Sequence, residues 1–368
     1  MKILLVFGTR PEAVKLASVI KELKKFPEKF EVKICVTGQH KEMLDPFLEL
    51  FEIKPDFNLN LMKENQSLEH ITTKTLQGIT GLIQEIKPDY LIVQGDTTTA
   101  MASALSAFYN KVKVIHIEAG LRTYNNLNPF PEEVNRRIID SVSDLFFAPT
   151  QKTKQNLLKE GFPENKIFVS GNTVIDVLLE TAEKEFNPKN TVLEKLPENK
   201  KIILVTSHRR ESFGKPLQEI CEAIKEIALK ENVFFVFPVH LNPKVKEKVY
   251  SILSNQKNIL LTEPLAYFEL VYLMKKSFLV LTDSGGIQEE APSLNKPVLV
   301  LRKETERTEG IKAGTAILVG TKKEKIIHKA NELLENKTLY NKMALAENPF
   351  GDGTAGKKIV KVLSELNE

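Results

Sequence analysis

Short apolar runs alternate along the chain with longer stretches in which apolar residues recur every three or four positions. The runs are typical of buried parallel strands, and the longer stretches are typical of amphipathic helices. The predicted strands are 3–7, 31–36, 90–94, 112–117 and 145–148 in a first series, then 202–206, 233–238, 259–261, 278–282 and 298–301 in a second. This alternation predicts an α/β fold with doubly wound parallel sheets.

The two series predict two Rossmann-like domains, and a length of 368 residues suits two hydrophobic cores. We expect an N-terminal domain of residues 1–169 plus 354–368, because a final periodic helix at 355–366 can cross back to it. The C-terminal domain would be 170–353. Ligands bind parallel sheets at the carboxyl ends of the strands. The two domains are therefore expected to face each other across a cleft.

The composition is that of a globular protein, with 42% hydrophobic and 27% charged residues. The formal net charge is +4 and the basic residues are dispersed, which argues against nucleic acid and membrane as partners. The chain lacks an apolar run of about 18 residues and a signal-peptide pattern. We therefore expect a cytoplasmic protein that meets any anionic ligand locally.

Cys35 and Cys221 lie far apart in apolar contexts without metal-ligand spacing, so we interpret them as reduced core thiols.

The first strand is followed by Gly8-Thr-Arg-Pro-Glu12, which departs from Gly-x-Gly-x-x-Gly. A nicotinamide or flavin dinucleotide is therefore not expected. The sequence predicts neither a cofactor nor a metal ion.

The stretch Leu279-Val-Leu-Thr-Asp-Ser-Gly-Gly-Ile-Gln-Glu-Glu290 predicts a strand that turns into a helix at Ser284-Gly-Gly286. Glycine permits close approach of the backbone to a phosphate, and a helix N-terminus favours an anion. Glu289 and Glu290 would repel phosphate unless they point elsewhere, for example at ribose hydroxyls. A nucleotide is therefore the better ligand, although Gly-Gly alone is more often an ordinary strand-to-helix turn.

Three carboxylates follow strands or begin a helix in the first domain: Asp96, Glu118 and Glu132. Asp96 has an ordinary alternative as a helix N-cap, and Glu132 as a partner of the helix dipole behind Pro131 at the first helical position. Glu118 stands at the end of a strand, where a buried acid needs a reason. Three neighbouring acids suggest proton chemistry, because burial and mutual repulsion separate their pKa values.

Basic residues also follow the ends of several predicted strands. Arg10 and Lys15 follow the first strand, and His208 and Arg209 follow the first strand of the second domain. Each of these alone is more often a surface charge or a structural residue, but together they suit a diphosphate. Arg307 follows the last predicted strand and extends this set.

The ordered set of motifs resembles the non-hydrolysing UDP-N-acetylglucosamine 2-epimerases from residue 1 to the final Asn348-Pro-Phe-Gly-Asp-Gly353 turn. The motifs are Phe7-Gly-Thr-Arg-Pro-Glu12, Gly95-Asp-Thr-Thr-Thr99, His116-Ile-Glu-Ala-Gly-Leu-Arg122, Pro131-Glu-Glu-Val-Asn-Arg136, Ser170-Gly-Asn-Thr-Val-Ile-Asp176, His208-Arg-Arg-Glu-Ser-Phe-Gly214, Pro238-Val-His-Leu-Asn-Pro243 and Thr282-Asp-Ser-Gly-Gly-Ile-Gln-Glu-Glu290. The resemblance implies a GT-B-like fold, a homodimer, and interconversion of UDP-GlcNAc and UDP-ManNAc for cell-surface polysaccharide.

The family reaction eliminates UDP to give 2-acetamidoglucal and then adds UDP back, with the proton returned to the opposite face of C2. The resemblance assigns Asp96 and Glu132 to this proton and Glu118 to the sugar and its cationic transition state, with the division among them left open. His208 would act on the diphosphate. The residues implied for substrate and UDP are Arg10, Lys15, Leu265, Leu270, Ser284, Gly285, Gly286, Glu290 and Arg307.

Some bacterial members of the family carry a regulatory UDP-GlcNAc pocket beside the active site. The corresponding residues here are Gln39, His40, Glu42, Lys74, Arg209 and His240. Glu42 and Lys74 depart from the family pattern, and a lysine cannot reproduce a bidentate arginine contact.

Other functions stay open at this stage. A GT-B glycosyltransferase would share the fold and the nucleotide turn but needs an acceptor site. A silent sugar-nucleotide sensor would not need Asp96, Glu118 and Glu132 together. A 2-epimerase could instead act on a 2,3-diacetamido uronic acid, or release free ManNAc by hydrolysis.

Overall fold

The computed structural model describes residues 1–38, 47–61, 66–207, 209 and 212–366. Within this part of the chain, strands alternate with helices as the hydrophobic pattern predicts. The strands are β1 Lys2–Phe7, β2 Glu31–Val36, β3 Phe57–Asn58, β4 Tyr90–Gln94, β5 Lys113–Ile117, β6 Leu145–Ala148, β7 Ile167–Val169, β8 Lys201–Thr206, β9 Val233–Pro238, β10 Ile259–Thr262, β11 Leu279–Thr282, β12 Val298–Val300 and β13 Ala316–Leu318.

The helices are α1 Arg10–Leu23, α2 Leu68–Ile86, α3 Thr98–Tyr109, α4 Glu132–Val142, α5 Gln151–Lys159, α6 Thr173–Glu183, α7 Lys215–Ile227, α8 Pro243–Leu253, α9 Tyr267–Lys276, α10 Gly285–Glu290, α11 Thr308–Ala313, α12 Lys323–Glu335, α13 Lys337–Ala344 and α14 Ala355–Glu365. Short 3₁₀ turns lie at Glu164–Lys166, Val192–Lys195 and Ala291–Leu294. Among the described residues, none of these helices is long and apolar enough to cross a membrane.

The strands form two parallel sheets. The first has the order β3-β2-β1-β4-β5-β6-β7, and the second has the order β10-β9-β8-β11-β12-β13. The direction of winding reverses between β1 and β4 in the first sheet and between β8 and β11 in the second. The carboxyl ends of strands at such a reversal are where open α/β sheets bind ligands. The doubly wound parallel architecture predicted from the sequence is confirmed.

Three strands, β3, β7 and β13, were not among those predicted. They have only two or three residues each, so the hydrophobic pattern has no room to repeat. β3 and β7 are the outer strands of the first sheet, and β13 is an outer strand of the second.

The chain divides into two compact units, Met1–Val177 with Gly351–Glu368 (unit 1) and Leu178–Phe350 (unit 2). The division falls inside α6, after the boundary expected at residue 169. The start of α6 belongs to unit 1, because Asp176 accepts hydrogen bonds from the backbone N–H groups of Ala355 at 3.0 Å and Gly356 at 2.6 Å. Its later residues Leu178 and Ala182 pack with Val271 of α9 in unit 2.

Each unit has its own core, built on both faces of its sheet. In unit 1, Leu4 and Val6 of β1 and Leu91 and Val93 of β4 are fully buried under α2 and α3. In unit 2, alternate residues of β8 and β11 enter two separate clusters, one containing Ile203 and Val205 and the other Ile202 and Leu204. Burial on both faces leaves the strand ends as the places where polar side chains can serve a ligand.

Candidate active site

Glu118 follows β5 directly and lies in the left-handed backbone region, with φ at +69°. It is 8% exposed. Lys15 Nζ lies 2.6 Å from both carboxylate oxygens, Asn172 Nδ2 donates to Oε1 at 3.1 Å, and Gln94 Nε2 donates to Oε2. These donors hold the Glu118 side chain in one fixed orientation.

Asp96 lies in the turn after β4, and its carboxylate accepts a hydrogen bond from Arg136 Nη2. Asn135 Nδ2 donates to the Asp96 carbonyl at 3.0 Å. The ordinary alternative for Asp96, a helix N-cap, is wrong. Thr97 caps α3 instead, and its hydroxyl accepts from the Ala100 N–H at 3.0 Å.

Glu132 is the first residue of α4, so Pro131 takes the N-cap position rather than the first helical position. Glu132 Oε2 is buried and has no hydrogen-bond partner within the described parts of the chain. The neighbouring Glu133 is fully buried and accepts from the backbone N–H groups of Thr123 at 2.9 Å and Tyr124 at 3.0 Å. Glu133 therefore fixes a loop, while Glu132 has a buried acceptor atom that no described residue satisfies.

His116 serves the structure of this site. Its Nδ1 lies 2.6 Å from Asp140 Oδ1 and its Nε2 lies 2.7 Å from the Gly95 carbonyl oxygen. The carbonyl can only accept, so Nε2 donates. Burial acts to raise the pKa of Asp140, but His116 and Arg122 outweigh it and hold that pKa below its usual range. The network fixes Gly95, which precedes Asp96, and this role supports the sequence-based choice of Glu118 over His116.

The two residues of α1 that the sequence suggested for a diphosphate, Arg10 and Lys15, lie in different environments. Arg10 is exposed at the first position of the helix. Lys15 is half-buried and bound to Glu118, whereas the sequence suggested that it meets a diphosphate. The ammonium group of Lys15 is thus part of the environment of a carboxylate.

In unit 2, Asp283 joins the two turns at the reversal of the second sheet. Asp283 is fully buried, and its Oδ2 accepts from Ser207 Oγ at 2.9 Å, Arg209 N at 3.1 Å and Ser212 Oγ at 3.0 Å. Ser284 follows it as the N-cap residue of α10. The turn after β8 is therefore bonded to the start of the Ser284-Gly-Gly286 turn.

Gly285 and Gly286 have no positive φ, so the glycines serve close approach rather than an unusual backbone. A Cβ on Gly285 would lie 3.0 Å from Arg307 Cζ. Arg307 Nε donates to Glu289 Oε1 at 2.8 Å. Glu289 therefore points at Arg307, away from the Ser284-Gly-Gly286 turn that the sequence predicts to bind a nucleotide. Glu290 Oε1 would lie 3.8 Å from a Cβ on Gly286.

Glu306 forms ion pairs with Arg209, Arg302 and Arg307. Burial acts to raise its pKa, but Arg307, a backbone hydrogen bond, Arg302 and Arg209 together lower the pKa of Glu306 to about 2. Arg307 Nη1 lies 2.7 Å from Glu306 Oε1, and Arg302 Nη1 lies 2.8 Å from its Oε2. Paired in this way, Arg307 is held rigidly over Gly285.

Of the remaining predicted residues, four lie in the described part of the chain and four lie outside it. Leu265 and Leu270 are partly buried against the core cluster that includes Leu204. Lys74 is exposed on α2, and exposed His240 accepts from the Asn242 N–H at 3.1 Å through Nδ1. The residues His208, Gln39, His40 and Glu42 lie outside the described residues. Within the described ranges, no cluster of His, Cys, Asp and Glu side chains could hold a metal ion.

A family model described as UDP-N-acetylglucosamine 2-epimerase matches residues 21–364. The chain belongs to this family. A Campylobacter jejuni UDP-N-acetylglucosamine 2-epimerase is 50% identical over 372 residues, covering 98% of this chain and 97% of the relative.

Solved structures show the same fold. A Neisseria meningitidis UDP-GlcNAc 2-epimerase bound to UDP-GlcNAc is 50% identical, with a TM-score of 0.89 over 99% of this chain and 100% of that one. The S. aureus protein MnaA in a structure with UDP is 44% identical, with a TM-score of 0.89 over 100% of this chain and 97% of that one. The GT-B-like fold class predicted from the sequence is therefore confirmed, as is the family.

Several residues of this epimerase-family chain that shape the site were not assigned from its sequence. Arg136 and Asn172 stand inside the quoted motifs, and Gln94 is the last residue of a predicted strand. A polar residue that ends an otherwise apolar strand was the available signal for Gln94. The partners of Arg136 and Asn172 are 40 and 54 residues away along the chain, so no local pattern reveals them.

Proposed function

We propose that this protein interconverts UDP-GlcNAc and UDP-ManNAc without hydrolysis. Membership of the epimerase family and the three differently held carboxylates Asp96, Glu118 and Glu132 in unit 1 support this proposal. A glycosyltransferase or a silent sensor would have no use for three such acids.

The reaction needs no outside oxidant or reductant. A base removes the proton from C2, the bond from C1 to the UDP oxygen breaks, and the electron pair of the C–H bond forms the double bond of 2-acetamidoglucal. In the return step UDP oxygen bonds to C1 again and C2 receives a proton on its other face. Acid–base groups and stabilisation of positive charge at C1 are therefore required.

The hydrogen bonds suggest how the carboxylates divide this work. Glu132 Oε2 has no hydrogen bond to any described residue, so its lone pairs are available to a proton. Asp96, held by Arg136, is the candidate acid–base group for the other face of the sugar. Glu118 is held by Lys15, Gln94 and Asn172, which suits a fixed negative charge opposite the cation that develops at C1.

Unit 2 would bind the UDP moiety. Ser284, Gly285 and Gly286 offer backbone N–H groups and a hydroxyl to the diphosphate, and Glu290 would accept from the ribose hydroxyls. Leu265 and Leu270 would contact the uracil, and Arg307 would lie near the sugar. Arg10 and His208 remain candidates for the diphosphate, by their match to the family motifs.

A homodimer, a cytoplasmic location and a role in supplying ManNAc units for cell-surface polysaccharide also belong to this proposal. Their support is the family and the motif match. The regulatory UDP-GlcNAc pocket, with Gln39, His40, Glu42, Lys74, Arg209 and His240, is proposed on the same ground.

Proton NMR in deuterated water tests the proposed activity. Purified protein with UDP-GlcNAc, and with neither metal nor NAD added, should form UDP-ManNAc that carries deuterium at C2. Product without deuterium would overturn the elimination mechanism. Free ManNAc alone would identify a hydrolysing enzyme, and turnover of only a 2,3-diacetamido uronic acid in a panel of UDP-sugars would reassign the substrate.

A further inference from the structure

Glu12 is a titratable residue that the proposed reaction does not use. It is 1% exposed and lies in the first turn of α1. Its Oε2 accepts from the N–H groups of Gly8 at 3.1 Å and Thr9 at 2.7 Å, and from Thr9 Oγ at 2.7 Å. Its Oε1 accepts from Thr97 Oγ at 2.6 Å. One carboxylate therefore bonds to the turns after β1 and β4.

An ordinary capping-box glutamate bonds only to the start of its own helix and remains near solvent. Glu12 does this with one oxygen, and with the other it reaches a residue 85 positions away. Burying a carboxylate costs free energy unless its acceptors are satisfied. The Thr97 hydroxyl satisfies Oε1, and because Thr97 belongs to another turn, the same bond also ties that turn to the start of α1.

The two turns that Glu12 joins are those at the winding reversal of the first sheet, where a ligand is expected. The first turn leads to Arg10, and the second carries Asp96 next to Thr97. α1 also carries Lys15, which binds Glu118. The first turns of α1 thus contact the surroundings of two proposed catalytic carboxylates.

We propose that Glu12 is a positioning residue for the epimerase reaction, holding the Asp96 turn through Thr97 at a set distance from the Arg10 turn. Glu12 does not touch the substrate. This inference rests on the proposed function for its kinetic readout, and its structural part can be measured without any substrate.

The decisive variants separate the bond to Glu12 from the capping of α3. Thr97→Asn and Thr97→Asp both provide a side-chain oxygen that caps a helix well. Only the asparagine also offers an N–H donor to Glu12, whereas the aspartate places a second carboxylate against it. We expect Thr97→Asp to lower kcat by about 100-fold, the effect of a displacement near 1 Å. Thr97→Asn should stay within about fivefold of wild type, since the bond can form again.

Moving the carboxylate from position 12 to position 97 should rescue the activity lost in Thr97→Asp. In Glu12→Gln the amide oxygen can take the place of Oε2, and the amide nitrogen points towards position 97. Combined with Thr97→Asp, this nitrogen can donate to the new carboxylate. We expect the double variant to recover at least about tenfold of the kcat lost in Thr97→Asp alone. A residue with a merely structural role in capping α3 would give no such recovery.

The dissociation constant of UDP, measured by calorimetry, should change less than about threefold in Thr97→Asp, because the Glu12 bonds to Gly8 and Thr9 remain. Ser67→Ala is the control for a lost helix cap. Ser67 caps α2 by accepting from His70 N at 3.3 Å. Its variant should lose stability and keep the wild-type kcat.

Two results would overturn the inference. Equal kcat values for Thr97→Asn and Thr97→Asp would show that the link does not position the site. Additive effects of Glu12→Gln and Thr97→Asp on the free energy of unfolding would show that the two side chains do not interact. The unfolding cycle needs no substrate, so it tests the interaction between Glu12 and Thr97 independently of activity. If wild-type protein proves inactive on UDP-GlcNAc, that result refutes the proposed function but not this interaction.

Discussion

Lys15 Nζ lies 2.6 Å from both carboxylate oxygens of Glu118. The side chain of Glu118 is only 6% exposed, so water contributes little to its solvation. A carboxylate held against an ammonium group is a fixed source of negative charge. This relationship supports giving the cationic transition state to Glu118, while Glu132, whose Oε2 has no hydrogen bond to any described residue, suits a proton transfer.

Removing the ammonium should destabilise the fold, because it leaves a buried charge without its counterion. We expect Lys15→Met to lower the free energy of unfolding by about 3 kcal/mol, measured by urea denaturation. Adding Glu118→Gln should restore only part of that loss, because the neutral amide needs no counterion but offers one oxygen where two accepted from Gln94 and Asn172. The double variant should have no measurable turnover. Full activity in the double variant would contradict the role given to Glu118.

Replacing Asp96 should affect chemistry more than binding. Asp96→Asn keeps the shape of the side chain but removes its capacity to take or give a proton, so kcat should fall roughly 10²- to 10⁴-fold. Calorimetry should show nearly unchanged UDP affinity. A parallel loss of turnover and UDP affinity would instead mark Asp96 as a structural partner of Arg136.

The turn at Gly285 should have little room for any larger residue. In Gly285→Ala the new Cβ would lie 3.0 Å from Arg307 Cζ, so Arg307 must move, and UDP affinity should fall about tenfold. The matched control is Gly81→Ala in α2, where an added Cβ has no neighbour within 4 Å. This control should gain about 0.5–1 kcal/mol of stability and bind UDP as wild type does. Unchanged affinity in Gly285→Ala would show that close approach of the backbone at Gly285 does not contribute to UDP binding.

The pH dependence of stability should report the burial of Glu12. Burial raises the pKa of Glu12 above its ordinary value of 4.5, against the opposing hydrogen bonds from Thr97, Thr9 and Gly8. The folded state therefore binds this proton more tightly than the unfolded state. Relative to Glu12→Gln, wild type should gain stability as the pH falls through the raised pKa towards 4.5, and the difference should then level off. Urea denaturation of both proteins across this range checks the sign; a difference that shifts towards the variant on acidification would contradict it.

Both thiols should be unreactive in the folded protein. Cys35 and Cys221 are fully buried, and burial raises the pKa of each thiol to about 12. The reactive thiolate is therefore scarce at pH 8. Iodoacetamide should label neither cysteine until urea unfolds the chain, as followed by mass spectrometry. Rapid labelling of either cysteine without urea would show that its region opens.

The sequence predicted the main strands and the acids at their ends because both signals are local. Asp96 and Glu118 stand where an apolar run stops, and the direction of Glu289 away from a phosphate follows from charge alone. The target of Glu289 could not be read, since Arg307 lies 18 residues further on. The same limit hid the contacts of Glu12 with Thr97, because a pattern in sequence shows which residues are unusual but not which distant turn they meet.

The short edge strands and the position of the domain boundary could not be predicted from the sequence for another reason. A strand such as β7, Ile167–Val169, is defined by its pairing with β6 rather than by its own pattern. The division within α6 likewise depends on Asp176 binding the start of α14. These features arise only once the sheet and its outer helices have assembled.

The packing of α14 against α1 has a consequence for synthesis. A Cβ on Gly356 would lie 3.1 Å from the Ser18 carbonyl, so the two helices are in close contact. On the ribosome, α1 emerges early, while α14 emerges after the whole of unit 2. The face of α1 that α14 covers therefore stays open while unit 2 is translated, and the nascent chain should depend on chaperones most during that interval.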